Sequence, residues 1–292
     1  MILVAGAGFL GSYLIKYLSE NTDENILAVS RNISSLPVFP KTRYFECDMG
    51  NQSDVSALAE RCGGEKLTVF YLAAMHSVDR LFLHPDEGRK INIDALSAFL
   101  KTVPDIEKLF FASTDCVYGE NPPGTGKFME TDRALPINEY GRQKLEAEKI
   151  VRSYGYTSVR FAYMLGKSLI SRPHFYDNIA QSLSRSEPVY MIDGMVRSSL
   201  SYKTAAELLA KLSFLPAGEL PSTVNLCSDG EYSKYDLGLY IARGLGFSSE
   251  LIKKISEKEA ESFFKEKRAS RIVMDNSLLK TLLGIESIAL EE

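Results

Sequence analysis

Met1-Ile2-Leu3-Val4-Ala5-Gly6-Ala7-Gly8-Phe9-Leu10-Gly11-Ser12-Tyr13-Leu14-Ile15 opens the chain. An apolar strand runs straight into Gly-x-Gly-x-x-Gly, and the apolar spacing Leu10, Leu14, Leu18 then continues as a helix. In that setting the glycines have a mechanical job. Gly6, Gly8 and Gly11 let the backbone turn tightly and approach a pyrophosphate, whose charge is met by free N–H groups at the helix N-terminus, with Phe9 and Leu10 inside the turn. An ordinary strand-to-helix turn is the plain alternative, and the strand before and helix after favour dinucleotide binding.

Working outward, strand-like runs recur at 1–5, 26–30, 42–47, 67–73, 108–113 and 157–161, with helical patterns between most of them. That alternation predicts an α/β fold: a doubly wound parallel sheet with helices on both faces. Ligands on such sheets bind at the carboxyl ends of the strands. Gly6, Arg31, Asp48, Ala73, Thr114 and Tyr163 all fall at or just beyond strand ends, on one rim. The second strand bears on the choice of dinucleotide. NAD sites place an Asp or Glu about twenty residues past the glycines for the ribose diol, whereas an arginine suits a 2′-phosphate. Ser30 and Arg31 stand there, which favours NADP(H) over NAD(H), although a solvated loop cation would look the same.

Tyr140 and Lys144, in the run Asn138-Glu139-Tyr140-Gly141-Arg142-Gln143-Lys144-Leu145, share one helix face at i and i+4. A phenol with an ordinary pKa of about 10 is a poor proton shuttle at neutral pH, but a nearby ammonium favours the phenolate. Thr114, in the upstream strand end Ser113-Thr114-Asp115, supplies a hydroxyl to hold a reacting oxygen. The spacing alone also occurs on plain surface helices; the glycine turn is what gives it meaning.

The 292 residues, 45% hydrophobic, suffice for a nucleotide-binding core plus a smaller lobe. The expected division is a dinucleotide-binding domain over 1–166, a substrate lobe over 167–292, and a return segment near 196–228 packing with the first domain. A net charge of −4 with no basic stripe argues against nucleic acid. No apolar run approaches the roughly 18 residues of a membrane span, and a first strand starting at residue 2 leaves no room for a signal peptide, so a cytoplasmic protein is expected. Cys47, Cys62, Cys116 and Cys227 lack CxxC spacing, and His76, His84 and His174 form no cluster, so neither a disulfide framework nor a metal is expected. Asn121–Gly126 reads as an irregular loop. Later elements are expected as helices near 175–184, 204–213, 234–244 and 277–283 and a strand near 189–192, and the Lys/Glu-rich stretch 253–267 as a solvated helical face.

Together these pieces resemble the extended short-chain dehydrogenase/reductase family, in its branch of nucleotide-sugar epimerases, dehydratases and reductases, over nearly the whole chain. Val69-Phe70-Tyr71-Leu72-Ala73-Ala74 is similar to the family's fourth strand, whose small residues line the cofactor. Cys47-Asp48-Met49 resembles the acidic turn at the adenine, and Ile91-Asn92-Ile93-Asp94 the helix-borne asparagine motif. Ser113-Thr114-Asp115-Cys116-Val117-Tyr118-Gly119 matches the active-site strand, so the resemblance implies a catalytic set of Asn92, Thr114, Tyr140 and Lys144. It also implies that Asp115, Asn178 and Arg197 meet the substrate, Arg197 gripping a sugar nucleotide's phosphates. The sequence departs from the family at Ala5, where the first motif glycine usually stands, and at Ser198 and Ser199, where an acidic and an aromatic residue are usual.

Within the family, sugar 4,6-dehydratases carry Thr-Asp-Glu, and here Cys116 takes the glutamate's place, so dehydration by that route is not expected. Enzymes of the GDP-fucose-forming type carry a cysteine there with a partner histidine, which would fall near His174; such a pair could act as base and acid. Packing roles for both residues are the plain reading, and His76 and His84 are taken as structural. The resemblance implies hydride transfer on a nucleotide-linked sugar, by an epimerase or a reductase, in a homodimer as is common in the family. A dinucleotide-binding sensor without turnover, and a reductase of a non-sugar carbonyl compound, remain open.

Overall fold

In the computed structural model, which describes residues 1–121 and 124–291, the opening apolar run becomes strand β1 (Ile2–Ala5) with all of its side chains buried. Helix α1 (Phe9–Asn21) follows the glycine turn, then β2 (Ile26–Ser30), β3 (Thr42–Glu46), α2 (Gln52–Cys62) and β4 (Leu67–Tyr71). Short helices α3 (Val78–Leu83) and α4 (Pro85–Arg89) lead through a π-helical turn at Lys90–Asp94 into α5 (Ala95–Thr102) and β5 (Ile106–Thr114). The nucleotide half continues with α6 (Glu139–Ser153) and β6 (Thr157–Phe161). Beyond it lie β7 (Met164–Leu165), α7 (Phe175–Ser184), β8 (Val189–Asp193), β9 (Val196–Arg197), β10 (Leu200–Ser201) and α8 (Tyr202–Ser213). The chain ends with β11 (Thr223–Leu226), α9 (Lys234–Gly244), β12 (Ile252–Ser256), α10 (Glu257–Ala260), β13 (Arg271–Ile272) and α11 (Ser277–Leu283).

Seven strands form one parallel sheet in the order β11-β6-β5-β4-β1-β2-β3. Because successive strand side chains point to opposite faces, each strand feeds two cores. Ile2, Val4, Phe70 and Phe110 pack with Leu14 and Leu18 of α1 and with Leu208 and Leu209 of α8. Leu3, Ala5, Val69 and Phe111 pack with Val55, Phe99 and Val151 of α2, α5 and α6. Helices therefore cover both faces, as the alternation of elements predicts. The return segment supplies β10, α8 and β11, the last pairing with β6 at the sheet edge. The smaller lobe has its own apolar cluster, in which Tyr176, Ile179 and Leu183 of α7 meet Leu237 and Ile241 of α9, Met191 and Ile252.

One expectation is overturned. The stretch 253–267 is not a helical face: its first residues are in β12, paired in parallel with β8, and only a short helix and a 3-10 turn follow. Ile252 fills the lobe core, and that burial decides the conformation over the helical preference of the Lys and Glu around it. In the expected loop 121–126, Pro122 and Pro123 lie outside the described residues; Asn121 Nδ2 donates to Gly126 O at 3.0 Å. Among the described residues no helix is long and apolar enough to cross a membrane.

Candidate active site

The glycine turn is tight by necessity. Gly6 has a φ of 111°, and a Cβ there would meet Ala73 N at 2.5 Å; one on Gly11 would meet Gly6 O at 2.5 Å. Gly8 differs, since a Cβ would meet nothing within 4 Å. It caps α1 without a side-chain hydrogen bond, and no acidic residue occupies the first turn, so the first amides of α1 open onto a cavity of about 980 Å³. Such a cradle fits a pyrophosphate.

Of the residues singled out from the sequence, Gly6, Gly8, Phe9, Leu10, Gly11, Arg31, Asp48, Met49, Leu72, Ala73, Ala74, Thr114, Asp115, Cys116, Tyr140, Lys144, Tyr163, His174 and Arg197 all line this one cavity. Ser30 and Asn32 flank Arg31 in its wall, and Arg31 is exposed, with no ion pair among the described residues. Two predicted residues do not line it. Asn178 is exposed on α7, whose packing turns Tyr176, Ile179 and Leu183 to the lobe core and leaves Asn178 on the solvent side. Asn92 is buried in the π-helical turn, where its Oδ1 accepts from Met75 N at 2.8 Å and its Nδ2 donates to Met75 O and Gln143 Oε1. Asn92 thus ties the strand exit after β4 to α6 from behind the cavity wall.

Tyr140 is placed by local packing. Asn138 caps α6, accepting from Gly141 N at 2.9 Å, and Gly141 admits the Cys116 carbonyl where any Cβ would collide. The first turn of α6 is thereby pressed onto the end of β5, and Tyr140 and Thr114 line the same cavity wall. Thr114 Oγ1 also accepts from Cys116 N at 3.2 Å and donates to Asp115 Oδ1 at 3.1 Å. One turn on, Lys144 is buried; its Nζ donates to Ala112 O at 2.6 Å and lies 4.5 Å from the centre of the Phe111 ring.

The electrostatics of this protein alone run opposite to the expected activation. Burial, then Cys116 and Asp115, push the Tyr140 hydroxyl above the usual phenol range, with Thr114 opposing. Lys144 is pushed down to about 7 by burial, with Glu148 opposing. The ammonium is engaged by the Ala112 carbonyl, and two acidic neighbours act on the phenol instead. Cys116 is pushed up to about 12 by burial and Asp115, so at neutral pH it is a thiol. His174 is pushed down to about 4 by burial, then His76 and Arg172, so it is a neutral imidazole. It lies against the glycine turn, its ring 4.3 Å from that of Phe9 and its Nδ1 3.3 Å from the Tyr202 hydroxyl. The leading influences on Cys116 and His174 are different groups, and among the described residues no hydrogen bond joins the two.

At the other end, Arg197 has its Nε 3.5 Å from Asp115 Oδ2 and donates to Ala269 O and Val196 O. Asp115 is buried, which pushes its carboxyl up against the opposing pull of Arg197. Sequence reasoning missed Arg172, Lys234, Phe264 and Arg268, which also line the cavity, and His76, taken as structural, is there too. Arg268 Nη2 pairs with Asp79 Oδ1 of α3 at 2.9 Å, so the segment after α10 straps the lobe onto the nucleotide half. Phe264 falls within the stretch read as a solvated face and Arg268 just beyond it, where nothing local marks them; Lys234 is the first residue of α9. Among the described residues no group of three or more His, Cys, Asp or Glu could hold a metal ion.

Sheet, glycine cradle and a tyrosine and lysine one helical turn apart define a short-chain dehydrogenase/reductase of the extended type. A family model described as the RmlD substrate binding domain matches residues 1–292, and the chain belongs to that family, among the extended nucleotide-sugar enzymes. It is similar to the low-salt glycan biosynthesis protein Agl12 of Haloferax volcanii, 29% identical over 164 residues, 53% of this chain and 51% of that one. It is also similar to the uncharacterized UDP-glucose epimerase YtcB of Bacillus subtilis, 29% identical over 224 residues, 69% of this chain and 68% of that one. The chain spans about half the length of several curated relatives it matches. Among solved structures, UDP-glucuronic acid 4-epimerase from Bacillus cereus, in complex with UDP-glucuronic acid and NAD, matches with a TM-score of 0.81 at 20% identity, covering 99% of this chain and 94% of that one. At that identity the likeness is one of fold.

Proposed function

We propose that this protein is an NADP(H)-dependent enzyme that oxidises or reduces a ring carbon of a nucleotide-linked sugar, as an epimerase or a net reductase. The observation that carries the reading is that Tyr140, Thr114 and Lys144 line the same cavity as the Gly6–Gly11 cradle. A bound nicotinamide supplies the hydride donor or acceptor and, when oxidised, a positive charge that favours the phenolate. Tyr140 gives a proton to the sugar carbonyl oxygen in the reducing direction and takes it from the hydroxyl in the oxidising one. Thr114 holds that oxygen in line, and Lys144 turns from Ala112 O toward the cofactor ribose and the phenol. Arg31, unpaired at the end of β2, meets the 2′-phosphate that distinguishes NADP.

Arg197 is the phosphate ligand of the substrate, and Asp115 orients both that guanidinium and the sugar. Dehydration is not part of the reading, because a residue meant to remove a ring proton must be basic, and Cys116 holds its own proton. The test is to incubate the protein with NADPH or NADP and a panel of UDP-, dTDP- and GDP-linked sugars, following nicotinamide absorbance and product stereochemistry. Steady NADPH consumption identifies a reductase, and product inversion without consumption an epimerase. Silence across the panel contradicts the proposal.

A further inference from the structure

Lys234 occupies the first position of α9, where a cation opposes the helix dipole. The helix makes no use of it. Ser233 and Asp236 already form a complete capping box, each accepting from the other's backbone N–H at 2.8–3.0 Å. The lysine side chain instead enters the cavity wall, its Nζ 3.6 Å from the centre of the Tyr163 ring and 4.8 Å from that of Phe175. Among the described residues no carboxylate lies within ion-pairing distance of it. Burial, then Arg197 and Arg268, oppose its charge, and Asp115 favours it. The acids of this region are otherwise engaged: Asp115 faces Arg197 at 3.5 Å, and Asp79 holds Arg268 at 2.9 Å.

A half-buried cation set among cations, with aromatic faces but no counter-ion among the described residues, is a fold-level liability that a ligand can relieve. A sugar hydroxyl can hydrogen-bond an ammonium without neutralising it; a carboxylate does both. The phosphates are served by Arg197 in the reading above. Lys234 shares its surroundings with Asp115, which adjoins Thr114 at the reacting oxygen, and with that phosphate arginine. The part of a sugar nucleotide that spans those two points is the sugar itself.

We propose that Lys234 is a specificity residue that pairs with a carboxylate on the sugar, so that the preferred ligand is a nucleoside diphosphate hexuronate over the corresponding hexose. This rests on the sugar-nucleotide reading of the site. The test is calorimetric binding of four compounds, UDP- and dTDP-linked glucuronate and glucose, to the NADP-loaded protein, in the native chain and in Lys234→Met and Lys234→Arg. The native protein should bind a glucuronate at least about tenfold more tightly than the matching glucose. That ratio should fall at least about tenfold in Lys234→Met, whose side chain still fills the aromatic site, and be largely restored in Lys234→Arg. A ratio unchanged in Lys234→Met, or a native preference for glucose, overturns the inference while leaving the sugar-nucleotide reading intact. Binding of none of the four overturns the inference, and silence across the wider panel above overturns the reading on which it rests.

Discussion

Tyr140 is a half-buried phenol beside Thr114 in the cavity wall, with Cys116 and Asp115 as its acidic company, so without a further cation it keeps its proton. This makes the proton-donating direction the natural one for the resting side chain, and ties the reverse direction to the positive charge of an oxidised nicotinamide. Arg31 bears on the choice of cofactor. In Arg31→Ala, KM for NADPH should rise about tenfold or more while KM for NADH changes little, because only the former presents a 2′-phosphate. Equal changes for both would contradict that role. Tyr140, Lys144, Thr114 and the glycines were legible because their chemistry depends on local spacing, at i, i+4 or at a strand end. Asn178 and Asn92 stand apart from the cavity lining because a motif names a residue but tertiary packing chooses what it faces: lobe packing leaves Asn178 exposed, and Met75 claims both ends of the Asn92 amide.

At the scale of elements, the site depends on how firmly α6 is fixed against β5 and β6. Beneath it, Glu148 of α6 and Arg160 of β6 form a fully buried pair, with Nε and Nη2 at 2.9 and 2.7 Å from the two carboxylate oxygens and Ser113 Oγ donating as well. Removing one partner leaves a buried charge uncompensated. Glu148→Leu should therefore destabilise the fold by about 3–5 kcal/mol in denaturant unfolding; a loss below about 1 kcal/mol would show that Arg160 finds water or another acceptor. Element identity was readable wherever one apolar period dominates, as in β1, β2, β6, α7 and α9. It failed over 253–267, where Lys253 and Lys254 stand side by side on a strand whose partner, β8, lies some sixty residues earlier. Pairing at that distance leaves no local trace.

For the whole molecule, the sheet gathers the ends of β1, β2, β4 and β5 onto one rim, and the lobe brings α7, α9 and the segment after α10 over it, the latter strapped by Arg268 to Asp79. The rim was legible from the alternation of strands and helices. The roof was not, because Arg172, Lys234, Phe264 and Arg268 reach the cavity from separate, weakly patterned segments. Every functional claim here requires rim and roof to enclose one reaction in which Tyr140 carries the proton. The most direct measurement is the turnover of Tyr140→Phe on whichever sugar nucleotide the native protein converts, with the unfolding transition recorded beside it. The account predicts a fall in kcat of about a hundredfold or more with folding intact; a variant that turns over at the native rate would contradict it.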